Sequence, residues 1–396
     1  MRIDSLTLVD FRNYASQQFR FSGLLHVLTG QNAQGKTNAL EAIILLATGR
    51  SPRASKDVEF IRWGADMARV AAEVKREFGP VTIDVVVRPG VAKRIRVNGQ
   101  PIRRLRDLFG NLNVVAFTPD DLQLVKGSPS LRRQFLDYEI AQVSSSYRDR
   151  LSRYHRALRQ RNAVLRQVAE GQAPANRLEP WDAQLLEHGV PIIIKRAEMV
   201  NALSRWAQRI HRQITRGVES LVLAYEPFFA TDESGEFSES PDHAMWTDPS
   251  IAARRFEEAL YKMRPIELRR GVSMVGPQRD DIRFVIDGRD LRAYGSQGQQ
   301  RTAVLACKLA EIAYMEEEVG EPPILLLDDV MSELDSTRRN FLVTAVQDRV
   351  QTFITSAHLG DLGEEIVKKA EVFHIRSGRA ERVKQQNTST NNGPMR

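Results

Sequence analysis

Short apolar runs punctuated by turn residues fill the first third of the chain. Ile3-Asp4-Ser5-Leu6-Thr7-Leu8 alternates like a strand, Leu24–Thr29 is a short apolar strand, and Asn38–Thr48 is an apolar-rich helix. Val70–Lys75, Val81–Val87 and Lys93–Val97 are β-rich; Pro89-Gly90 separates the last two and Asn98-Gly99 follows the third, which is hairpin punctuation. Leu112–Phe117 is another strand. From about Leu131 the period lengthens. Leu151, Tyr154, Leu158, Leu165 and Val168 recur at helical spacing among Arg, Gln, Ser and Asn, and Ile193, Ala197, Val200, Ala207, Ile210 and Ile214 form a second stripe. Gly171-Gln172-Ala173-Pro174 breaks the two apart, which predicts an antiparallel helical pair; the pattern alone does not separate a projecting arm from an ordinary two-helix subdomain. Further on, Leu221–Tyr225 and Ile282–Ile286 predict strands, Asp232–Ser250 a polar exposed loop, and Ile251–Leu268 and Gln299–Glu317 helices. Ile324–Leu327 and Thr352–Thr355 are apolar strands, and the polar tail Gln385–Arg396 is expected to be disordered.

A chain of 396 residues is too long for one ordinary core and implies two lobes. No apolar run reaches the length of a membrane span, and the N-terminus enters a strand without the pattern of an export signal, so a cytoplasmic protein without a membrane partner is expected. The lone cysteine, Cys307, lies in an apolar helical run and reads as a buried small hydrophobe. A net charge of +7 favours polyanionic partners, a weak signal until a class of protein is established.

Chemistry enters at Gly30-Gln31-Asn32-Ala33-Gln34-Gly35-Lys36-Thr37, which satisfies every fixed position of the P-loop, followed by Asn38. A strand precedes it and a helix follows, as the motif requires. The glycines let backbone N–H groups curl around phosphate oxygens, and the helix start directs its positive end at the anion. Lys36 reaches the β- and γ-phosphates of ATP, and the Thr37 hydroxyl is a hard ligand for Mg²⁺. Ile324-Leu325-Leu326-Leu327-Asp328-Asp329, an apolar strand ending in two carboxylates, is the expected acidic partner. Asp328 would serve the metal and Asp329 would orient or deprotonate the attacking water, as the catalytic residue.

Most of the chain lies between Thr37 and Asp328, so a large insertion divides one nucleotide-binding core. Shortly before Asp328, Tyr294-Gly295-Ser296-Gln297-Gly298-Gln299-Gln300-Arg301 resembles the signature loop of ABC ATPases, with Gln297 where transporters usually have glycine. In that class Ser296, Gln297, Gly298 and Gln299 would complete the γ-phosphate pocket of a second subunit, so ATP would drive a homodimer. Ser332-Glu333-Leu334-Asp335 looks like the D-loop, with Ser332 and Asp335 at the dimer interface.

With these motifs placed, the chain resembles the RecF family over almost its whole length. The similar blocks are Leu6–Tyr14, Gly30–Asn38, Phe117–Leu122, Val125–Pro129, Arg132-Arg133 with Phe135-Leu136-Asp137, Gly276–Asp281, the Ser-Gln-Gly-Gln-Gln-Arg signature and Leu327-Asp328-Asp329-Val330. The family usually has histidine where this chain has Gln278. The resemblance implies an α/β fold, an ABC-type P-loop ATPase head of the SMC kind (lobe I) with a helical lobe II or short antiparallel arm. It would divide as 1–125 (ATPase lobe with the P-loop), 126–270 (helical insertion), 271–384 (ATPase lobe with signature, acidic strand and D-loop) and 385–396 (tail). It also implies ATP-dependent DNA binding in recombinational repair and replication, slow hydrolysis, recombinase loading at single-strand gaps with RecR and RecO, and a link to the SOS response. Asp120, in the Q-loop counterpart Phe117–Asp121, is a candidate contact to Mg²⁺ or water. Thr355 or Ser356 takes the place of the family's switch histidine, with His358 on the surface. Arg12 and Asn13 either touch the nucleotide or end a strand at a turn.

Three other classes fit less well. A transporter ATPase has no helical insertion of this size. A full SMC protein needs a far longer coiled coil between its halves. A DNA-binding protein with a degenerate nucleotide site would not keep Lys36, Thr37, Asp328 and Asp329 together. The Arg-rich stretches Lys93–Arg106 and Arg148–Arg166 are candidate DNA surfaces, and equally ordinary solvated faces.

Overall fold

The computed structural model describes residues 1–230 and 243–383. The tail Gln385–Arg396 lies outside them, as does most of the stretch read as an exposed loop. Its described end differs from that reading: His243–Thr247 is a 3₁₀ turn with Trp246 only 4% exposed, its ring 5.4 Å from Phe229. An aromatic at the end of a polar run found a core, which local polarity does not foretell.

The chain packs as two units. The first takes Met1–Pro101, Ile324–Asp335 and Val343–Arg396; the second takes Ile102–Pro323 and Ser336–Leu342. Residues 102–125 and 271–323, grouped with the ATPase lobe by the sequence division, thus pack within the second unit.

In chain order the first unit opens with β1 (Arg2–Phe11), β2 (Tyr14–Arg20), β3 (Leu25–Thr29), α1 (Lys36–Thr48), β4 (Ala68–Lys75), β5 (Val81–Val87), β6 (Arg94–Val97) and β7 (Gln100–Pro101). The second unit follows with β8 (Val114–Phe117), α2 (Gln123–Lys126), α3 (Pro129–Val143), α4 (Ser145–Ala169), α5 (Glu179–Ile214), β9 (Leu221–Glu226), α6 (Pro249–Arg270), β10 (Asp281–Ile286), β11 (Arg289–Asp290), α7 (Leu291–Tyr294) and α8 (Gln297–Val319). The chain then returns to the first unit with β12 (Ile324–Asp328), passes through α9 (Ser336–Val346), whose first seven residues belong to the second unit, and ends in the first with β13 (Thr352–Ser356), α10 (Glu364–Lys369), β14 (Glu371–Arg376) and β15 (Arg379–Arg382).

Two kinds of sheet meet in the first unit, and their sequences differ accordingly. The antiparallel sheet, ordered β2-β1-β4-β5-β6-β7, has one solvated face. Along β4, Ala68, Val70, Ala72 and Val74 are buried while Arg69, Glu73 and Lys75 are exposed, the period-two pattern of a half-buried strand. The second sheet places β15-β14-β3-β13-β12 side by side, with β3, β12, β13 and β14 parallel. These strands are continuous apolar runs because both faces are covered: Val27, Ile324, Leu327, Phe353 and Ile354 are fully buried. Thr352–Ser356 is not the last strand of this sheet, since β14 pairs on the far side of β3. Its mixed sequence, Glu-Val-Phe-His-Ile-Arg, hides it from a hydrophobicity reading.

In the second unit the predicted helical pair is α4 and α5. Arg161 bonds Asp182, a Cβ at Gly189 would sit 3.0 Å from Tyr154, and Arg196 bonds Tyr147, so numbers fall along one helix as they rise along the other. The pair is antiparallel, and it is embedded: α6 covers its far end through Arg161–Glu267, and α5 also packs on α8 and β9. Two buried arginines staple this layer. Arg161 is wholly buried among Asp182, Ser273 and Glu267. Arg196, 2% exposed, holds Asp137, Asp280 and the Pro277 carbonyl. Arg132 is bidentate to Asp281. The family-like blocks around Arg132, Asp137 and Asp280 are therefore the ionic core of the helical unit. Removing one partner of such a pair costs about 3–5 kcal/mol, since the other charge is left buried.

Candidate nucleotide site

Parallel strands deliver their C-terminal ends to one edge, and in the first unit β3, β12 and β13 all do so. β3 runs into the P-loop, β12 ends at Asp328, and β13 ends at Thr355-Ser356.

The P-loop conformation depends on its glycines. Gly30 has φ 150° and Gly35 φ 120°; a Cβ on Gly30 would run into the Ile375 carbonyl, and one on Gly35 would lie 2.8 Å from the Asn13 amide. Ala33 is held at φ 64°. The loop is gripped from two sides. From the β1–β2 turn, Asn13 Nδ2 donates to Gln34 O at 2.7 Å, Tyr14 Oη donates to Gly35 O at 2.9 Å, and Asn38 Nδ2 donates to Asn13 Oδ1 at 2.9 Å. From the β14–β15 turn, Gly378 N donates to Gln34 O at 3.0 Å and Ser377 N donates to Gln34 Oε1 at 2.7 Å. Lys36 Nζ, on a residue only 4% exposed, donates to Gly30 O at 2.7 Å and Gln31 O at 3.2 Å. With these carbonyls engaged, the amides of the loop are the groups turned to an anion, and no side chain caps the N-terminus of α1.

Arg12 and Asn13 do end a strand at a turn, with Arg12 at φ 54°. Arg12 is bidentate to Glu41, a residue of α1 only 2% exposed, and Ser51 Oγ donates to the same carboxylate at 2.6 Å. Glu41 thus fixes the turn whose next residue, Asn13, shapes the P-loop. Nothing in the sequence spacing points to this relay or to the Ser377-Gly378 clamp; only the hairpin signal Ser-Gly marks the latter as a turn.

The acidic pair stands against the P-loop helix. Thr37 Oγ1 donates to Asp328 Oδ1 at 2.8 Å, and Thr355 Oγ1 donates to the same oxygen at 2.7 Å. Asp329 N donates to Thr355 Oγ1 at 2.9 Å, and Asp329 adopts a left-handed φ of 54°. Strain of this kind at a non-glycine residue costs on the order of 1 kcal/mol or more and collects at working sites. Burial lifts the Asp329 carboxyl above the ordinary aspartate range, with the Lys36 ammonium opposing and the Asp328 charge adding to the rise. That shift makes it a better proton acceptor. Ser332 Oγ donates to Asp329 O at 2.8 Å, while Asp335 is exposed. His358 is exposed, and Ser356 Oγ donates to its carbonyl.

The signature residues lie in the second unit. Ser296 is the N-cap of α8: its Oγ accepts from Gln299 N at 3.2 Å, and Gln299 Oε1 accepts from Ser296 N at 2.8 Å, a reciprocal capping box. The hydroxyl accepts on the helix side, so what it offers outward is its proton. Gln299 Nε2 donates to Glu219 at 3.0 Å, and Arg338 donates to Gly298 O at 3.3 Å and Thr302 Oγ1 at 2.9 Å. Gln297 is exposed. Asp120 is exposed on the 3₁₀ turn Pro119–Leu122, whose neighbour Asp121 faces the buried Lys308 at 3.7 Å. Cys307 is fully buried, as expected. No helix among the described residues is long and apolar enough to cross a membrane.

Comparison with known proteins follows the same lines. A family model described as the RecF/RecN/SMC N-terminal domain matches residues 2–381. The DNA replication and repair protein RecF of Halalkalibacterium halodurans is 42% identical over 378 residues, covering 96% of this chain and 98% of its own. A solved structure, that of the recombination mediator protein RecF-ATPrS in the RecFOR pathway, superposes with a TM-score of 0.86 at 31% identity and covers 97% of this chain and 98% of its own. An Smc head bound to the C-terminal winged-helix domain of ScpA shares the fold, with a TM-score of 0.56 at 16% identity and 97% of both chains covered.

Proposed function

The chain belongs to the RecF family of DNA replication and repair proteins, with the ABC-type head fold of the SMC class, and from that premise we propose that it is an ATP-switched DNA-binding protein whose nucleotide site is Gly30–Asn38 with Asp328 and Asp329. The observation that supports this most is the meeting of Lys36, Thr37, Asp328, Asp329 and Thr355 at one sheet edge in the first unit. ATP lies along the loop amides with its terminal phosphates at Lys36. Mg²⁺ suits this site: it prefers hard oxygens and shares its sphere with phosphate and water, and the Thr37 hydroxyl and Asp328 carboxylate are adjacent hard oxygens. When bound it would neutralise charge building on the β- and γ-phosphates. Asp329 accepts the proton of the attacking water.

Ser296, Gly298 and Gln299 then act on the nucleotide of a second copy, with Ser332 and Asp335 at the same interface, so two ATP molecules hold a homodimer. The dimer binds DNA at gaps and works with RecR and RecO in recombinase loading. Hydrolysis is a slow timer for release, and the protein acts in the cytoplasm. The test is ATP turnover with and without gapped DNA, together with sedimentation with and without ATP. Slow, DNA-stimulated turnover and an ATP-dependent dimer are expected. A monomer at saturating Mg·ATP would overturn the switch.

A further inference from the structure

Trp63 is 96% exposed, so its indole contributes almost nothing to the fold. It lies just before β4, where the Ala68–Val87 pairing sets the 62–67 segment beside the loop that leaves β5. That loop adds Val91, 61% exposed, and the preceding 3₁₀ turn Asp57–Phe60 adds Val58, 44% exposed. The Lys93–Asp57 ion pair, at 2.7 Å, ties the two loops together.

Cations outnumber acids around this apolar tip, where Asp66 is an exposed opposing charge in the 62–67 segment, Asp57 is held by Lys93, and Glu59 accepts the Ser55 and Lys56 backbone N–H groups. Arg88 is exposed and reaches the Met67 sulfur at 3.9 Å. Strand pairing puts Arg94 opposite Val86 and Arg96 opposite Asp84, on the solvated face of the antiparallel sheet, and Asp84 is already taken by Arg69 at 2.6 Å. Among the described residues Lys56, Arg88, Arg94 and Arg96 have no carboxylate partner. Excess cations suit a polyanion, and an exposed indole suits a flat π-face. A duplex offers phosphates but hides its base faces; a single strand offers both.

We propose that this end of the antiparallel sheet binds single-stranded DNA, with Trp63 stacking on an unpaired base and Arg88, Arg94 and Arg96 holding the flanking phosphates. The site rests on the DNA-binding reading above and gives it a location and a strand preference. Stacking on one base is sequence-tolerant, so the site selects unpaired DNA and not a sequence.

The test is anisotropy titration of the full chain with Mg·ATP, using fluorescein-labelled oligo(dT) and a blunt duplex of equal length. Trp63→Ala should weaken oligo(dT) binding about tenfold while duplex affinity stays within about twofold. Trp63→Phe should recover most of the loss. Trp63→Ala should leave the salt slope unchanged, and Arg88→Ala with Arg94→Ala and Arg96→Ala should reduce it by about one for each phosphate no longer neutralised. Equal weakening on both DNAs, or wild-type affinity for oligo(dT), would overturn the stacking site while the DNA reading stood. A Trp63→Ala chain that binds DNA normally but no longer self-associates would instead assign the tip to a contact between copies. If the unaltered chain bound neither DNA, the DNA reading itself would fall and this site with it.

Discussion

Thr355 donates its hydroxyl to Asp328 Oδ1 at 2.7 Å and, through the same oxygen, accepts the backbone N–H of Asp329 at 2.9 Å. One buried side chain on β13 therefore sets both carboxylates of β12. Thr355→Val keeps the shape and the β-propensity but removes the hydroxyl. A hydrogen bond to a charged group contributes about 1.5–3 kcal/mol, so turnover should fall about tenfold or more. ATP affinity should change little, since Lys36 and the loop amides remain. Steady-state turnover together with nucleotide titration checks this; unchanged turnover would mean that Asp328 and Asp329 hold their positions without Thr355.

Asp329→Asn should bind Mg·ATP and barely hydrolyse it. The amide keeps the size of the carboxylate but cannot take the proton of the attacking water. Blocked in the ATP state, the variant should accumulate as a dimer in sedimentation. Normal turnover would place the base elsewhere.

How much of this was legible beforehand differs by element, for physical reasons. The P-loop and its acidic strand are local: Gly30, Gly35, Lys36, Asp328 and Asp329 are dictated by backbone shape and charge within a few residues, so the sequence displays them. The long helices announced themselves by period and by the Gly171–Pro174 break. What stayed hidden is tertiary. Asn13 and Gly378 meet at Gln34 from opposite ends of the chain, and Glu41 reads as one acid in an apolar helix until Arg12 and Ser51 reach it. β14 escaped because its sequence alternates too little for a half-buried strand and is too polar for a fully buried one.

Glu139, only 3% exposed in the second unit, has its carboxyl pushed up to about 7 by burial; the Lys308 ammonium and the Gln142 amide oppose the rise, and the Asp121 charge adds to it. In the unfolded chain a glutamate titrates near its ordinary value, so between the two the folded state holds the extra proton. Stability then falls as pH rises from about 4.5 to about 7. Glu139→Gln is neutral throughout and should flatten that decline, gaining on the order of 1–3 kcal/mol relative to the unaltered chain between pH 5.5 and 8. Urea midpoints at those two pH values measure it. A variant with the same pH dependence would mean that Lys308 keeps Glu139 ionised across the range.

The signature loop is held by two groups that the motif does not contain, and this separates position from contact. Glu219 fixes the Gln299 side chain that closes the capping box on Ser296, and Arg338 fixes the Gly298 carbonyl. Ser296→Arg puts a bulky side chain where a small hydroxyl should meet the partner's phosphate, so it should abolish ATP-driven dimerisation while leaving ATP binding by the monomer nearly intact. Glu219→Ala leaves Ser296 in place but frees Gln299 to leave the cap, at a cost of about 1 kcal/mol for a lost N-terminal interaction. Dimerisation should therefore weaken severalfold without being lost, and Glu219→Gln should restore much of it because an amide oxygen can still accept from Gln299. Sedimentation across an ATP titration gives the ordering: unaltered chain, then Glu219→Gln, then Glu219→Ala, then Ser296→Arg. A dimer that persists in Ser296→Arg would count against action across subunits. A Glu219→Ala chain that dimerises like the unaltered one would show that Ser296 and Arg338 suffice to hold the loop.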